Sequence, residues 1–179
     1  MSTATVSSKV ATHELHITRV FDAPRELVWK VWTDPEHMKH WAGPRQFEAR
    51  DIHNDRRPGG KWRLLLHSDA FDIGDGQLRE LNLRQGGINR EVVEPERLVY
   101  TFKWEDNPGL SENVETVITV TFEEGEGEKN KGKTTMNFHQ AFFVTTADRD
   151  GHMRGWNSCF DKLGDYLSEV ETKESSHGK

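Results

Sequence analysis

Residues 147–170, ADRDGHMRGWNSCFDKLGDYLSEV, decide the fold. Met153, Trp156, Phe160, Leu163 and Leu167 recur at i, i+3, i+7, i+10 and i+14, which is one apolar stripe at the helical period. Thr145 or Thr146 caps the start. A helix from about Ala147 to Val170 spans on the order of 30 Å at 1.5 Å per residue, enough to cross a whole sheet.

Outward from that helix, the preceding chain reads as strand and turn. Thr134 to Phe143 is one strand, and Val114 to Phe122, rich in Val, Thr and Ile, is another. Between them EEGEGEKNKGK (123–133) has no apolar residue and forms a hairpin tip. Leu98, Tyr100, Phe102 and Trp104 alternate along a strand that follows a turn at Pro95-Glu96. Trp62, Leu64 and Leu66 share one face of a strand after the turn Arg56-Arg57-Pro58-Gly59-Gly60. Asp69 to Gly76 reads as a loop. Leu78, Leu81 and Leu83 belong to a strand whose limits the pattern leaves open, and Gly86-Gly87 interrupts it before Ile88 to Val93.

At the start, Leu15 and Ile17 alternate with His16, Thr18 and Val20, a strand over His13 to Phe21 with both faces partly covered. Asp22-Ala23-Pro24 opens a helix, with the aspartate as cap and the proline in the first turn. Its apolar stripe is Leu27, Val28, Val31 and Trp32. Asp34-Pro35 starts a second short helix carrying Met38 and Trp41, and Gly43-Pro44 ends it. Strand, two short helices, antiparallel strands and a long helix make an α+β order with helices segregated from the sheet.

Composition narrows the function classes. The 179 residues carry 24 Lys plus Arg against 30 Asp plus Glu, a formal charge of −6. That balance argues against a general nucleic-acid binder, which needs a basic face to displace counterions. The apolar share of 34% is low for a globular domain, and nine Phe, six Trp and two Tyr offset it through their large buried area. The single cysteine, Cys159, excludes an internal disulfide and suits a reducing compartment. No run approaches the ~18–20 apolar residues of a membrane span. Residues 1–12 lack the basic start and apolar stretch of a secretory signal. The expectation is a cytoplasmic protein with one domain over 13–170 and flexible tails at 1–12 and 171–179.

Six motifs in order carry a resemblance. They are Ile17-Thr18-Arg19-Val20-Phe21-Asp22-Ala23-Pro24 with Val28-Trp29; Trp32-Thr33-Asp34-Pro35-Glu36; Trp41 with Gly43-Pro44; Arg57-Pro58-Gly59-Gly60-Lys61-Trp62; Pro95-Glu96-Arg97-Leu98-Val99-Tyr100-Thr101; and Asp150-Gly151-His152 with Gly155-Trp156, Leu163 and Tyr166-Leu167. The chain resembles the START-related SRPBCC superfamily, in the branch homologous to the C-terminal domain of the activator of heat-shock protein 90 ATPase. The resemblance covers about residues 13–168. It implies a helix-grip fold, similar to that of the birch-pollen allergen, with a curved antiparallel sheet around the C-terminal helix. Two departures stand out. The segment between Ser68 and Val92 is longer and more polar than the short turn expected there, and is placed to cover or reshape a cavity entrance. The chain also lacks the activator's separate N-terminal domain, which counts against a co-chaperone role.

The candidate site is a shape rather than a motif. Inward positions by parity are Trp62, Leu64, Leu66, Tyr100, Phe102, Trp104, Met136 and Phe138. Met153, Trp156 and Phe160 face them from the helix, and Trp32 and Trp41 close one end. Such a stripe is more often a filled core, and the resemblance to carriers raises an open cavity to equal standing with it. Tyr100 and Trp104 each carry a polar atom to orient a ligand or to bond a backbone carbonyl.

The nine histidines do not form a recognisable metal motif. His13-Glu14-Leu15-His16 lacks the zincin spacing, and on a strand His13 and His16 face opposite sides. His37 and His40 are an i, i+3 pair without a third ligand, and His139 points outward by parity. No metal or cofactor is expected. The sequence shows no nucleophile elbow, phosphate-binding loop or Cys/His pair.

Three functions follow. The first is a carrier or sensor of an apolar small molecule or lipid-like ligand. The second is a cyclase- or aromatase-like enzyme using the same cavity, as the superfamily resemblance implies. The third is an interaction module, either a homodimer or a stress-related chaperone partner.

Overall fold

The structure, a computed structural model, describes residues 13–105 and 113–178. The proposed tail at 1–12 lies outside the described residues. Seven strands form one antiparallel sheet in the order β1-β7-β6-β5-β4-β3-β2. They are β1 (His13–Phe21), β2 (Glu48–Asn54), β3 (Lys61–Asp72), β4 (Leu78–Val93), β5 (Arg97–Trp104), β6 (Thr116–Glu124) and β7 (Thr134–Phe143). Helices α1 (Arg25–Thr33) and α2 (Pro35–Met38) follow β1, and α3 (Thr146–His177) closes the chain. The helix-grip architecture implied by the resemblance is therefore the one observed.

Alternation along β1 buries Leu15 and Ile17, while Glu14, His16, Thr18 and Val20 are exposed. The outer face expected to be partly covered is thus open to solvent. Asp22 does not cap α1. Pro24 takes the N-cap position and no side chain bonds the first turn. Pro24 instead offers its carbonyl to the backbone N–H groups of Leu27 and Val28, which satisfies part of the helix start without a cap. Asp34 does cap α2, accepting from the Glu36 N–H at 3.0 Å.

Three boundaries depart from the sequence pattern. β3 continues to Asp72, so Asp69–Asp72 is strand where a loop was expected. There Phe71 packs on Phe47, with ring centroids 4.9 Å apart. β4 runs unbroken through Gly86-Gly87. Gly87 is required because β5 crosses close above it: a Cβ there would overlap the Thr101 carbonyl, which also accepts from the Trp62 indole at 2.9 Å. Finally, α3 extends to His177, so residues 171–177, expected as a tail, are helical.

The helix does not sit centrally in the sheet. Its backbone approaches β1 and β7 most closely. Arg19 fixes it there, donating to Asp161 Oδ1 at 2.8 Å and to Asn157 Oδ1 at 3.0 Å. Under that contact lies a fully buried cluster. Phe122, Phe138, Phe160, Leu163 and Leu167 are essentially inaccessible, with Trp32 tilted against Phe122, Phe138 and Phe160. Over β3, β4 and β5 the helix stands away from the sheet, and the space is not filled.

Candidate functional site

That space is a cavity of about 350 Å³. One wall is β3 and β5, which contribute Trp62, Leu64 and Leu66, and Tyr100, Phe102 and Trp104. Trp32 and Trp41, stacked at an angle with centroids 4.7 Å apart, also line it, and Trp156 faces the sheet from α3. The helix-side and β7 expectations need correction. Met136, Phe138 and Phe160 do not line the cavity: they belong to the packed core under β1 and β7, at 0–1% exposure. Met153 packs against that core as well. Strand parity put Met136 and Phe138 on the inner face correctly, and the helical stripe put Met153 and Phe160 opposite the sheet, but neither pattern carries information about where along that face the helix rests.

Several lining residues were not anticipated. Phe47, Phe71 and Leu83 complete the apolar wall, while Gln85 and Asn89 bring buried amides to it from β4. Their parity was unreadable because the pattern around Gly86-Gly87 set no limits for that strand. Asp148 and His152 are the more informative omissions. They lie i, i+4 on the first turns of α3, and that spacing was the available signal. The Trp104 indole donates to His152 Nε2 at 3.1 Å, and His152 Nδ1 lies 2.9 Å from the Asp148 carbonyl oxygen. Accepting the indole hydrogen at Nε2, the ring presents its Nδ1–H to that carbonyl. Trp104 therefore bonds a side chain rather than a backbone carbonyl. With that Nδ1 hydrogen directed at the carbonyl, Asp148 Oδ1 lies 3.5 Å from Nδ1 and makes no hydrogen bond, although its side chain is only 6% exposed. A buried acceptor left unsatisfied is costly, and here it sits beside an apolar cavity.

The surroundings shift the titratable groups in and beside this space. Burial pushes the Tyr100 hydroxyl well above its ordinary range, against an opposing contribution from Trp32. Burial likewise pushes the Cys159 thiol up to about 12, with Lys162 opposing. Lys162 is lowered by desolvation. It donates to the carbonyls of Gly43 at 3.0 Å and Phe47 at 3.3 Å, tying α3 to the segment that forms the cavity's end. Arg56 and Arg154 are exposed and line the cavity, which places their side chains at its mouth. Among the described residues no helix is long and apolar enough to cross a membrane.

An apolar chamber between a curved sheet and its helix, with polar groups set into its lining, defines the helix-grip class. The comparisons place the chain within it. The family model described as Activator of Hsp90 ATPase homolog 1-like protein matches residues 22–168, and the chain belongs to that family. It is similar in fold to the AHSA1 protein from Silicibacter pomeroyi, at 19% identity and a TM-score of 0.70, covering 88% of this chain and 99% of that one. Protein Ms6760 from Mycobacterium smegmatis is similar at 20% identity and a TM-score of 0.67, with 88% and 92% covered. A protein from Rhizobium leguminosarum is similar at 24% identity and a TM-score of 0.64, with 89% and 96% covered. No curated protein matches.

Proposed function

We propose that the protein binds an apolar small molecule, as a carrier or sensor, in the cavity between α3 and strands β3 to β5. The observation that carries this reading is the cavity itself. Its ~350 Å³ falls in the range of about 300–1,000 Å³ typical of ligand sites. Its lining matches such sites too: aromatic walls with few polar groups. Affinity comes from apolar burial, at roughly 25 cal/mol per Å² before the costs of association. The Asp148–His152 end adds orientation, so the ligand has an apolar body and one hydrogen-bond donor that meets the Asp148 oxygen lacking a hydrogen bond. The buried Cys159 suits a cytoplasmic setting.

The test pairs a titration with a mass measurement. 1-Aminoanthracene fluorescence is followed in the wild type, Phe102→Arg and Leu83→Trp. Native mass spectrometry of gently purified protein searches for a retained compound. Saturable binding that both variants lose supports the reading, and Leu83→Trp fills space without burying a charge, so it remains interpretable if Phe102→Arg fails to fold. A wild type that neither binds the dye nor retains a compound overturns it, as does undiminished binding in a folded Leu83→Trp protein.

A further inference from the structure

On the opposite side of the sheet, His16 and Glu14 stand two residues apart on the exposed face of β1. His139 of β7 is the register partner of His16. These three residues, 125 positions apart in the chain at their extremes, meet on one patch. Glu14 Oε2 lies 2.7 Å from His139 Nε2, and Glu14 Oε1 lies 3.7 Å from His16 Nε2. One donor atom from each side chain falls within 4.8 Å of the other two. The two imidazoles stack with centroids 4.3 Å apart and an interplanar angle of 19°.

We propose that Glu14, His16 and His139 form a surface site for a divalent transition-metal ion of the zinc and copper type. Zinc binds imidazole nitrogen at about 2.0–2.1 Å and carboxylate oxygen at about 2.0–2.2 Å, so tetrahedral donors stand roughly 3.3 Å apart. The observed separations, 2.7 Å from Oε2 to His139 and 3.7 Å from Oε1 to His16, lie on either side of that spacing, each through a different carboxylate oxygen. The strands supply the preorganisation, because the pairing of β1 with β7 fixes the three Cα positions before any ion arrives. The side chains supply the remaining adjustment. His16 is 68% exposed and His139 32%, so both rings have room to turn out of the stack until their nitrogens converge, the ion taking the place of the proton between His139 and Glu14. Two imidazoles and one carboxylate leave the fourth position to water. This donor set suits zinc and copper and not magnesium or calcium, which take all-oxygen shells. The sequence hid the site because its third ligand comes from a distant strand. Cys159 is buried and does not compete for the ion.

Isothermal titration of the intact chain with Zn²⁺, and absorbance titration with Co²⁺, test the site. One equivalent of each is expected, with the intense visible bands of tetrahedral Co²⁺. His16→Ala and His139→Ala should each weaken binding by more than about tenfold, while His37→Ala on the far helix should leave it unchanged. Magnesium should show no saturable heat. Absence of saturable Zn²⁺ binding overturns the proposal, and so does binding that survives both His16→Ala and His139→Ala undiminished.

Discussion

The two halves of the sheet's inner face use similar residues to opposite ends. Under β1, β6 and β7, Phe122 and Phe138 are buried with Phe160 of α3, Phe138 packing edge-on against the Phe160 ring and Trp32 reaching all three. Under β3, β4 and β5, Trp62, Phe102 and Leu83 line open space. Side-chain size does not separate the two regions, since the open half holds the larger aromatics. What separates them is helix placement, and Arg19 and Lys162 show how it is set: one pins α3 to β1 and the other ties it to the 43–47 segment. A cavity here results from where a rod rests in a curved trough.

The sharpest way to break this contrast is to truncate on both sides. Phe138→Ala in the closed half should lose about 3–5 kcal/mol, read by urea denaturation. Leu83→Ala in the open half should lose about 2 kcal/mol, the lower end for such changes, because it widens a space already present. Equal losses after matching for side-chain size would mean the two halves are equally packed. A smaller effect, under about 1.5 kcal/mol, is expected for Lys162→Met, which keeps the stem and removes two hydrogen bonds. It should nonetheless alter dye affinity, because it frees one end of the cavity. Affinity and stability both unchanged would show that the tie does not shape the space.

The finest probe needs no substitution. Cys159 lines the cavity, and with its thiol pushed up to about 12, roughly one part in ten thousand is thiolate at pH 8. Its reaction with a disulfide reagent should therefore be far slower than that of a free thiol. The rate should climb about tenfold per pH unit towards pH 12, because only the thiolate attacks. A bound cavity ligand should slow it further. Fast modification at pH 8 would show that the chamber is more open than the static arrangement.

The fold was largely legible because its signals are local. The stripe from Met153 to Leu167 and the alternation in β1 and β5 depend on neighbours in sequence. Where the reading failed, the cause was contact with distant chain. Gly86-Gly87 looked like a break because the β5 backbone that needs the space is far off in sequence. Phe71 looked like a loop residue because Phe47 lies on another segment. The site was half legible for the same reason: parity separated inner from outer residues, but Phe138 and Phe102 share that property and differ only in their distance from the helix. The polar end escaped because Trp104, Asp148 and His152 come from two elements.

Trp156 belongs to a relay whose consequence reaches past binding. Its indole donates to Gln140 Oε1 at 2.7 Å, the Gln140 amide donates to Thr116 Oγ1 at 2.8 Å, and that hydroxyl donates to the Phe102 carbonyl at 3.3 Å. Gln140 is fully buried, so each of these bonds is expensive to leave unmade. A helix held only by interchangeable apolar contacts would be free to rotate or slide by a fraction of a turn whenever a wall residue changed. Here such a movement would strand a buried amide. The relay acts as an index pin: it holds the angular setting of α3 while the cavity wall varies, so that chamber shape can be re-cut by substitution, in evolution or in the laboratory, without resetting the fold.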